Sequence, residues 1–233
     1  MTADPTTARV PVGAVVLGVR TWRPDVVHHP PLVLLPGTGD TAEAWDVVAP
    51  ALASARLVHA VDLRGHGASD RPGRYSIALM AGDVAALLPR LPDGQVDLVG
   101  HSLGGLVALD VAAAHPGLVR RLVLEDVGLL RPRAPAPPAR PPGDLAFDWR
   151  VVEQVRPEID DPDPRWRAVV AGVRAPALVI GGGPTSHVPQ EQVADLARAL
   201  PDGHLMTIEA GHLVHDVEPE RFVEVVETFL TSG

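Results

Sequence analysis

The sequence predicts an α/β fold: a mostly parallel central sheet with helices on both faces and a short Pro-rich cap inserted into it. Three observations lead there. Short apolar runs alternate with longer stretches of helical period, the order that builds a parallel sheet through crossover helices. The runs are mostly apolar rather than alternating with polar residues, as strands covered on both faces are. One connection, residues 127–174, is far longer than the few residues that usually join neighbouring elements, which marks it as an insertion. With 233 residues and 46% hydrophobic content the chain is long enough to bury a full core, and one domain over 1–233 is expected.

Taken in order, "VPVGAVVLGV" (10–19) follows Arg9 and superficially suits a signal peptide. Pro11, Gly13 and Gly18, with no small-residue cleavage pattern, favour a β-strand instead. "PLVLL" (31–35), "RLVHAVDL" (56–63), "QVDLVG" (95–100), "RRLVLED" (120–126), "APALVIG" (175–181) and "HLMTIE" (204–209) read as fully buried strands. Residues 41–53, 76–91, 103–115, 189–200 and 218–230 carry apolar side chains at helical spacing and read as packing helices. The insertion opens with "RPRAPAPPARPPG" (131–143), six prolines in thirteen residues, which predicts an extended strap. Two short helices, 148–155 and 163–173, are expected after it.

Composition removes several chemistries. The chain has no Cys and no Lys, so all 20 basic residues are Arg. A thiolate nucleophile, Cys-ligated zinc, a disulfide, a Schiff-base lysine and a P-loop lysine are all excluded. A net charge of −9 without a basic stripe argues against nucleic acid and membrane surfaces as partners. No apolar stretch reaches the ~18 residues of a membrane span, and the default location is cytoplasmic. A small-molecule substrate is the expected partner, with no cofactor; oligomeric state cannot be read from the sequence.

"LVGHSLGGLVALDVA" (98–112) places Gly100-His101-Ser102-Leu103-Gly104 between a predicted strand and a predicted helix. A serine on so tight a turn occupies a strained conformation that requires small neighbours, and its hydroxyl points out of the sheet at the positive end of the helix. Together with "DLRGHGASDRP" (62–72) and "EAGHLVHDVEPERF" (209–222), this pattern resembles the α/β-hydrolase family from about residue 12 to residue 230. The resemblance implies a serine nucleophile, Ser102. It also implies an oxyanion hole formed by the amides of Leu103, directly after the nucleophile, and Thr38, in "LLPGTGD". Many relatives have His-Gly before the second donor, where this chain has Pro36-Gly37.

Of ten histidines, His212 stands at the end of a predicted strand after Gly211 and comes last in the family's chain order, which makes it the expected base. His215 is expected to be solvated or capping, and His66 and His101 to pack or to wall the pocket. His212 and His215 have a weak metal spacing with no carboxylate established beside it, so no metal site is expected. The acid is the puzzle. In most relatives it follows the seventh strand, but here that loop is "GGGPTSHVP", with Thr185 and Ser186 at the expected place. Some branches carry it at the end of the sixth strand, which here ends "LVLEDVG". Strand alternation puts Glu125 and Asp126 on opposite sides, and the resemblance selects Asp126. Glu125, Asp216, a water-bridged arrangement and no acid at all remain as alternatives. Halide-cleaving relatives with a strand-six acid use an Asp nucleophile, so dehalogenation does not carry over to Ser102.

The expected activity is hydrolysis of a small carboxylic ester, thioester or lactone through an acyl-enzyme. The alternatives are a hydrolase-fold ligand receptor, a non-hydrolytic cyclase or lyase, and a cofactor-free perhydrolase. Phe147, Trp149 and Trp166 of the insertion are possible pocket residues, although such aromatics also anchor caps to cores.

Overall fold

The computed structural model describes residues 4–91, 94–136 and 138–232; Pro137 of the strap lies outside them. Its framework is an eight-stranded sheet: β1 (Thr6–Val12), β2 (Val15–Trp22), β3 (Leu32–Leu35), β4 (Val58–Val61), β5 (Val96–His101), β6 (Val119–Glu125), β7 (Ala177–Gly181) and β8 (Gly203–Thr207). The spatial order is β1-β2-β4-β3-β5-β6-β7-β8. β1 and β2 run antiparallel, and every pairing from β4 to β8 is parallel.

The two faces of the sheet separate along single strands. Leu32 and Leu34 of β3 face one core with Trp45 and Phe222, while Val33 and Leu35 face the other with Met80, Val107 and Trp166. That is the period-two alternation of a strand buried on both sides. Helices α2 (Ile77–Leu87), α3 (Leu103–Ala114) and α6 (Gln190–Ala199) cover the second face. α1 (Ala49–Leu52) and α8 (Pro219–Thr231) cover the first.

Four local expectations are corrected. The N-terminal run is a hairpin: Val12 pairs with Val15 across Gly13, whose φ of 69° suits the reversal. Residues 41–53 are not one helix but a 3-10 segment, Ala42–Val47, followed by the single turn of α1. Restarting there places Pro50 in a first turn, where its missing N–H is harmless. The 204–209 run, expected to be fully buried, forms the edge strand β8 and is largely exposed. α4 (Arg150–Asp160) extends five residues past its expected end at 155 and contains Pro157.

Within the insertion, the described residues of 131–143 have no regular secondary structure. α4 and α5 (Arg165–Gly172) follow, and Val151, Val155, Trp166 and Val169 sink into the core. Arg165 holds the cap to α3 through a two-pronged pair with Asp110, both contacts at 3.0 Å. Among the described residues no helix is long and apolar enough to cross a membrane.

Candidate active site

The site is built where the parallel strands end. β5 stops at His101, and Ser102 turns into α3 with φ 50° and ψ −115°, a conformation rare for a residue with a side chain. The turn is tight enough to admit only glycine at Gly104: a Cβ there would lie 2.3 Å from the carbonyl oxygen of Leu35. α3 therefore lies directly on the β3 end, which carries Pro36, Gly37 and Thr38. Leu103 is the first residue of α3, so its amide has no partner within the helix. The loop bearing Thr38 is tied down by Gly39 N, which donates to His66 Nε2 at 3.2 Å. His66 is fully buried and stacks on Phe147.

The carboxylates at the end of β6 each take one histidine. Asp126 follows the last strand residue and adopts φ 48°, and its Oδ2 lies 2.6 Å from His212 Nδ1. Glu125, fully buried, binds His215 instead: both carboxylate oxygens lie 2.8 Å from His215 Nδ1, and His215 N donates to Oε1 at 2.9 Å. His215 is thus buried and paired, not solvated or capping as expected, and it stacks on Trp45 with ring centroids 4.3 Å apart. Burial disfavours charge on either member of this pair. The partner's charge and the hydrogen bonds together outweigh it, lowering the Glu125 pKa and raising that of His215, which favours the ion pair.

Asp126 receives four donors. Gly182 N (2.9 Å) and Gln190 Nε2 (3.0 Å) donate to Oδ1, and the Ser186 hydroxyl joins His212 at Oδ2. Burial pushes its pKa up, but these hydrogen bonds prevail and hold the carboxyl below its usual range. The loop after β7, which lacks an acid, and the first residue of α6 thus supply three of the four donors. The loop also carries His212 into place: Gly211 N donates to Gly182 O at 2.8 Å, and a Cβ on Gly182 would fall 1.9 Å from Gly211 O.

His101 lies behind His212, with Nε2 3.0 Å from the His212 carbonyl oxygen. Burial lowers its pKa to about 4, so it is neutral at pH 7 and can donate from Nε2. Its buried Nδ1 has no hydrogen-bond partner among the described residues, and Asp40 Oδ2 stands 4.0 Å away.

Ser102, Leu103, Thr38, Asp126 and His212 all line one cavity of about 530 Å³. Phe147, Trp149 and Trp166 are not among its walls, so the expectation that they form the pocket is corrected. Phe147 packs on His66, Trp149 lines a separate surface depression with Phe147, and Trp166 belongs to the core beneath the cap. The walls are instead formed by Leu106, Leu130, Val152, Val155, Ile159 and other apolar side chains, with His187, Arg133 and Arg156. His187, in the acid-free loop, approaches His212 with ring centroids 4.1 Å apart. A signal for it was present, since that loop had to face the site. No comparable signal marked the arginines. Among the described residues no group of three His, Asp or Glu is arranged to hold a metal ion.

A family model described as alpha/beta hydrolase fold matches residues 30–169. The chain is 31% identical over 253 residues to a pimeloyl-[acyl-carrier protein] methyl ester esterase of Aromatoleum aromaticum, covering 86% of this chain and 98% of that one. An uncharacterized protein of Mycobacterium tuberculosis is 44% identical over 100 residues, which is 42% of this chain but 29% of that relative's length. Among solved structures, a hydrolase from Pseudomonas aeruginosa superposes with a TM-score of 0.82 at 25% identity, over 97% of this chain and 99% of its own.

Proposed function

The chain belongs to the α/β-hydrolase fold family, and from that premise we propose that it is a serine hydrolase cleaving a small carboxylic ester, thioester or lactone through an acyl-enzyme on Ser102. The contact at 2.6 Å between His212 Nδ1 and Asp126 Oδ2 carries this reading, because His212 and Ser102 share one cavity. With Nδ1–H donated to an ionised Asp126, the free electron pair of the imidazole is on Nε2, where a base must hold it to take the Ser102 proton. The alkoxide attacks the carbonyl, and the resulting oxyanion is received by the amides of Leu103 and Thr38. The imidazolium then protonates the departing alcohol or thiol, leaving the acyl group on Ser102 Oγ. His212 next takes a proton from water, the hydroxide equivalent attacks the acyl carbon, and Ser102 is released with its proton restored.

An acid-free loop after β7 is the feature of the sequence that most favours a protein that only binds its ligand. Since Asp126 reaches His212 and that loop donates to Asp126, the loop's composition no longer speaks for that reading. The similarity to pimeloyl-[acyl-carrier protein] methyl ester esterases supports the reaction class and leaves the substrate to experiment. The test is hydrolysis of a short-chain 4-nitrophenyl ester by wild type and by a folded Ser102→Ala variant. A Ser102-dependent rate with a burst of nitrophenol is expected; equal rates for the two proteins would refute the proposal.

A further inference from the structure

The cavity wall carries an unbalanced pair of charges that the acyl-transfer steps do not use. Arg133, from the strap, and Arg156, from α4, both line it. Both are anchored by one side chain, Asp160, which is only 4% exposed. Arg133 Nε donates to Asp160 Oδ1 at 2.6 Å, and Arg156 Nε donates to Oδ1 at 2.8 Å and Oδ2 at 2.9 Å. The backbone reinforces the clamp, since Arg133 N donates to the Asp160 carbonyl at 2.9 Å.

A guanidinium has five N–H donors in a planar fork. The clamp uses the Nε of each, and among the described residues no hydrogen bond is made by the Nη atoms of either. Two cations thus share one carboxylate, on a wall that otherwise includes Leu130, Val152, Val155 and Ile159. The other carboxylates in the cavity do not restore the balance. Asp126 is engaged by four donors, and Asp40 belongs to the Thr38 loop, at the nucleophile's end. Cations held rigidly by their inner edges, with their outer forks free in a partly apolar cavity, are preorganised for a planar or tetrahedral oxyanion.

We propose that Arg133 and Arg156 form an anion subsite, and that the substrate is an ester or thioester carrying a carboxylate or phosphate group apart from its scissile carbonyl. The proposal rests on the acyl-transfer reading of Ser102. The cap brings the arginines over the sheet ends, so the same substrate spans from the Thr38 and Leu103 amides to the guanidinium pair. The anion belongs either to the acyl chain or to the leaving group, and these are distinguished by probes.

The first pair of probes is the mono-4-nitrophenyl ester of adipic acid against 4-nitrophenyl hexanoate, which places the charge on the acyl chain. The second is hexanoyl phosphopantetheine against hexanoyl pantetheine, which places it on the leaving group. In at least one pair, kcat/KM for the anionic member is expected to exceed that of the neutral member by about ten- to a hundredfold, the range for hydrogen bonds to charged groups. That ratio is expected to fall as salt is raised and to fall toward one in Arg133→Gln/Arg156→Gln. Because the double variant strips a buried carboxylate of its partners, the Arg133→Gln single variant, which leaves Arg156 on Asp160, is measured beside it. Calorimetric binding of the same four probes to Ser102→Ala gives a readout independent of catalysis. No charge preference in either pair, in rate or in binding, overturns the subsite, as does a preference that survives in the folded variants. Hydrolysis that is insensitive to Ser102→Ala would instead remove the catalytic reading, and calorimetry would then decide the subsite by itself.

Discussion

Replacing Asp126 by Asn tests the proposed base through its tautomer. The two side chains are nearly isosteric, so the fold is unaffected to first order, but an amide has one acceptor oxygen where the carboxylate has two. In the native site all four neighbours donate: Gly182 N and Gln190 Nε2 to Oδ1, Ser186 Oγ and His212 Nδ1 to Oδ2. Gly182 N–H is a backbone group and cannot turn away, so it retains the amide oxygen, and the NH₂ group faces His212 and Ser186. The serine hydroxyl can rotate to accept. His212 accepts only by giving up the proton on Nδ1, which moves it to Nε2 and removes the electron pair that must receive the Ser102 proton. The expected loss in kcat is roughly a thousand- to ten-thousandfold, about 4–5.5 kcal/mol in the barrier. The assay is 4-nitrophenyl ester hydrolysis under saturating substrate, with circular dichroism to confirm folding. Retention of more than about a tenth of wild-type kcat would refute the tautomer argument, because no other carboxylate is hydrogen-bonded to His212 among the described residues.

Glu125→Gln probes the neighbouring pair and is expected to affect stability. It leaves the buried His215 without its counter-charge, which destabilises by about 3 kcal/mol or more; urea unfolding would show it, and an unchanged midpoint would contradict the ion pair. The pH dependence follows from His59 and His101, both lowered to about 4 chiefly by burial. Unfolded, they titrate near 6.5, so between about pH 6.5 and 4 the unfolded chain binds protons that the folded chain refuses. Stability therefore falls as the pH falls through that window, by on the order of 3 kcal/mol per histidine at full extent. Asp126 and Glu125, held low, add to the loss further into acid. His215, raised, acts in the other direction: its contribution is complete below 6.5 and is lost only as the pH rises through its folded value. Urea titrations at pH 7 and at about pH 5 check this, and equal stabilities at the two would count against the buried neutral histidines.

The parts of the fold readable from sequence were those set by local pattern. Short, mostly apolar runs became central strands, and the glycines around Ser102 announced the tight turn from β5 into α3. Partner choice was less visible. "HLMTIE" has the composition of a central strand, yet its position at the sheet edge leaves Leu205 and Met206 exposed, and no local signal states which strand is last. His215 was misread for a similar reason: its partner Glu125 lies 90 residues earlier. The pocket walls depended on how the insertion lies over the strand ends. Of the insertion's aromatics, Trp166 joined the core, Phe147 packed on His66 and Trp149 on Phe147, while ordinary valines, leucines and two arginines faced the cavity.

In the proposed mechanism His212, as the base, needs an anionic acceptor at Nδ1 in a fixed direction, and which strand brings that acceptor is secondary. β6 and β7 are parallel neighbours with Glu125 in register with Ile180, and Asp126 N donates to the Ile180 carbonyl at 2.7 Å. The first residue beyond β6 is therefore beside the first residues beyond β7, and a carboxylate from either can point at one place. The left-handed backbone at Asp126, φ 48°, directs the side chain there; Glu125, still in the strand, reaches His215 instead. Once the acid comes from β6, a second one after β7 would face it at short range and raise one of the two pKa values. Ser186 and Gln190 occupy that ground as donors, so a loop without an acid is what keeps Asp126 ionised.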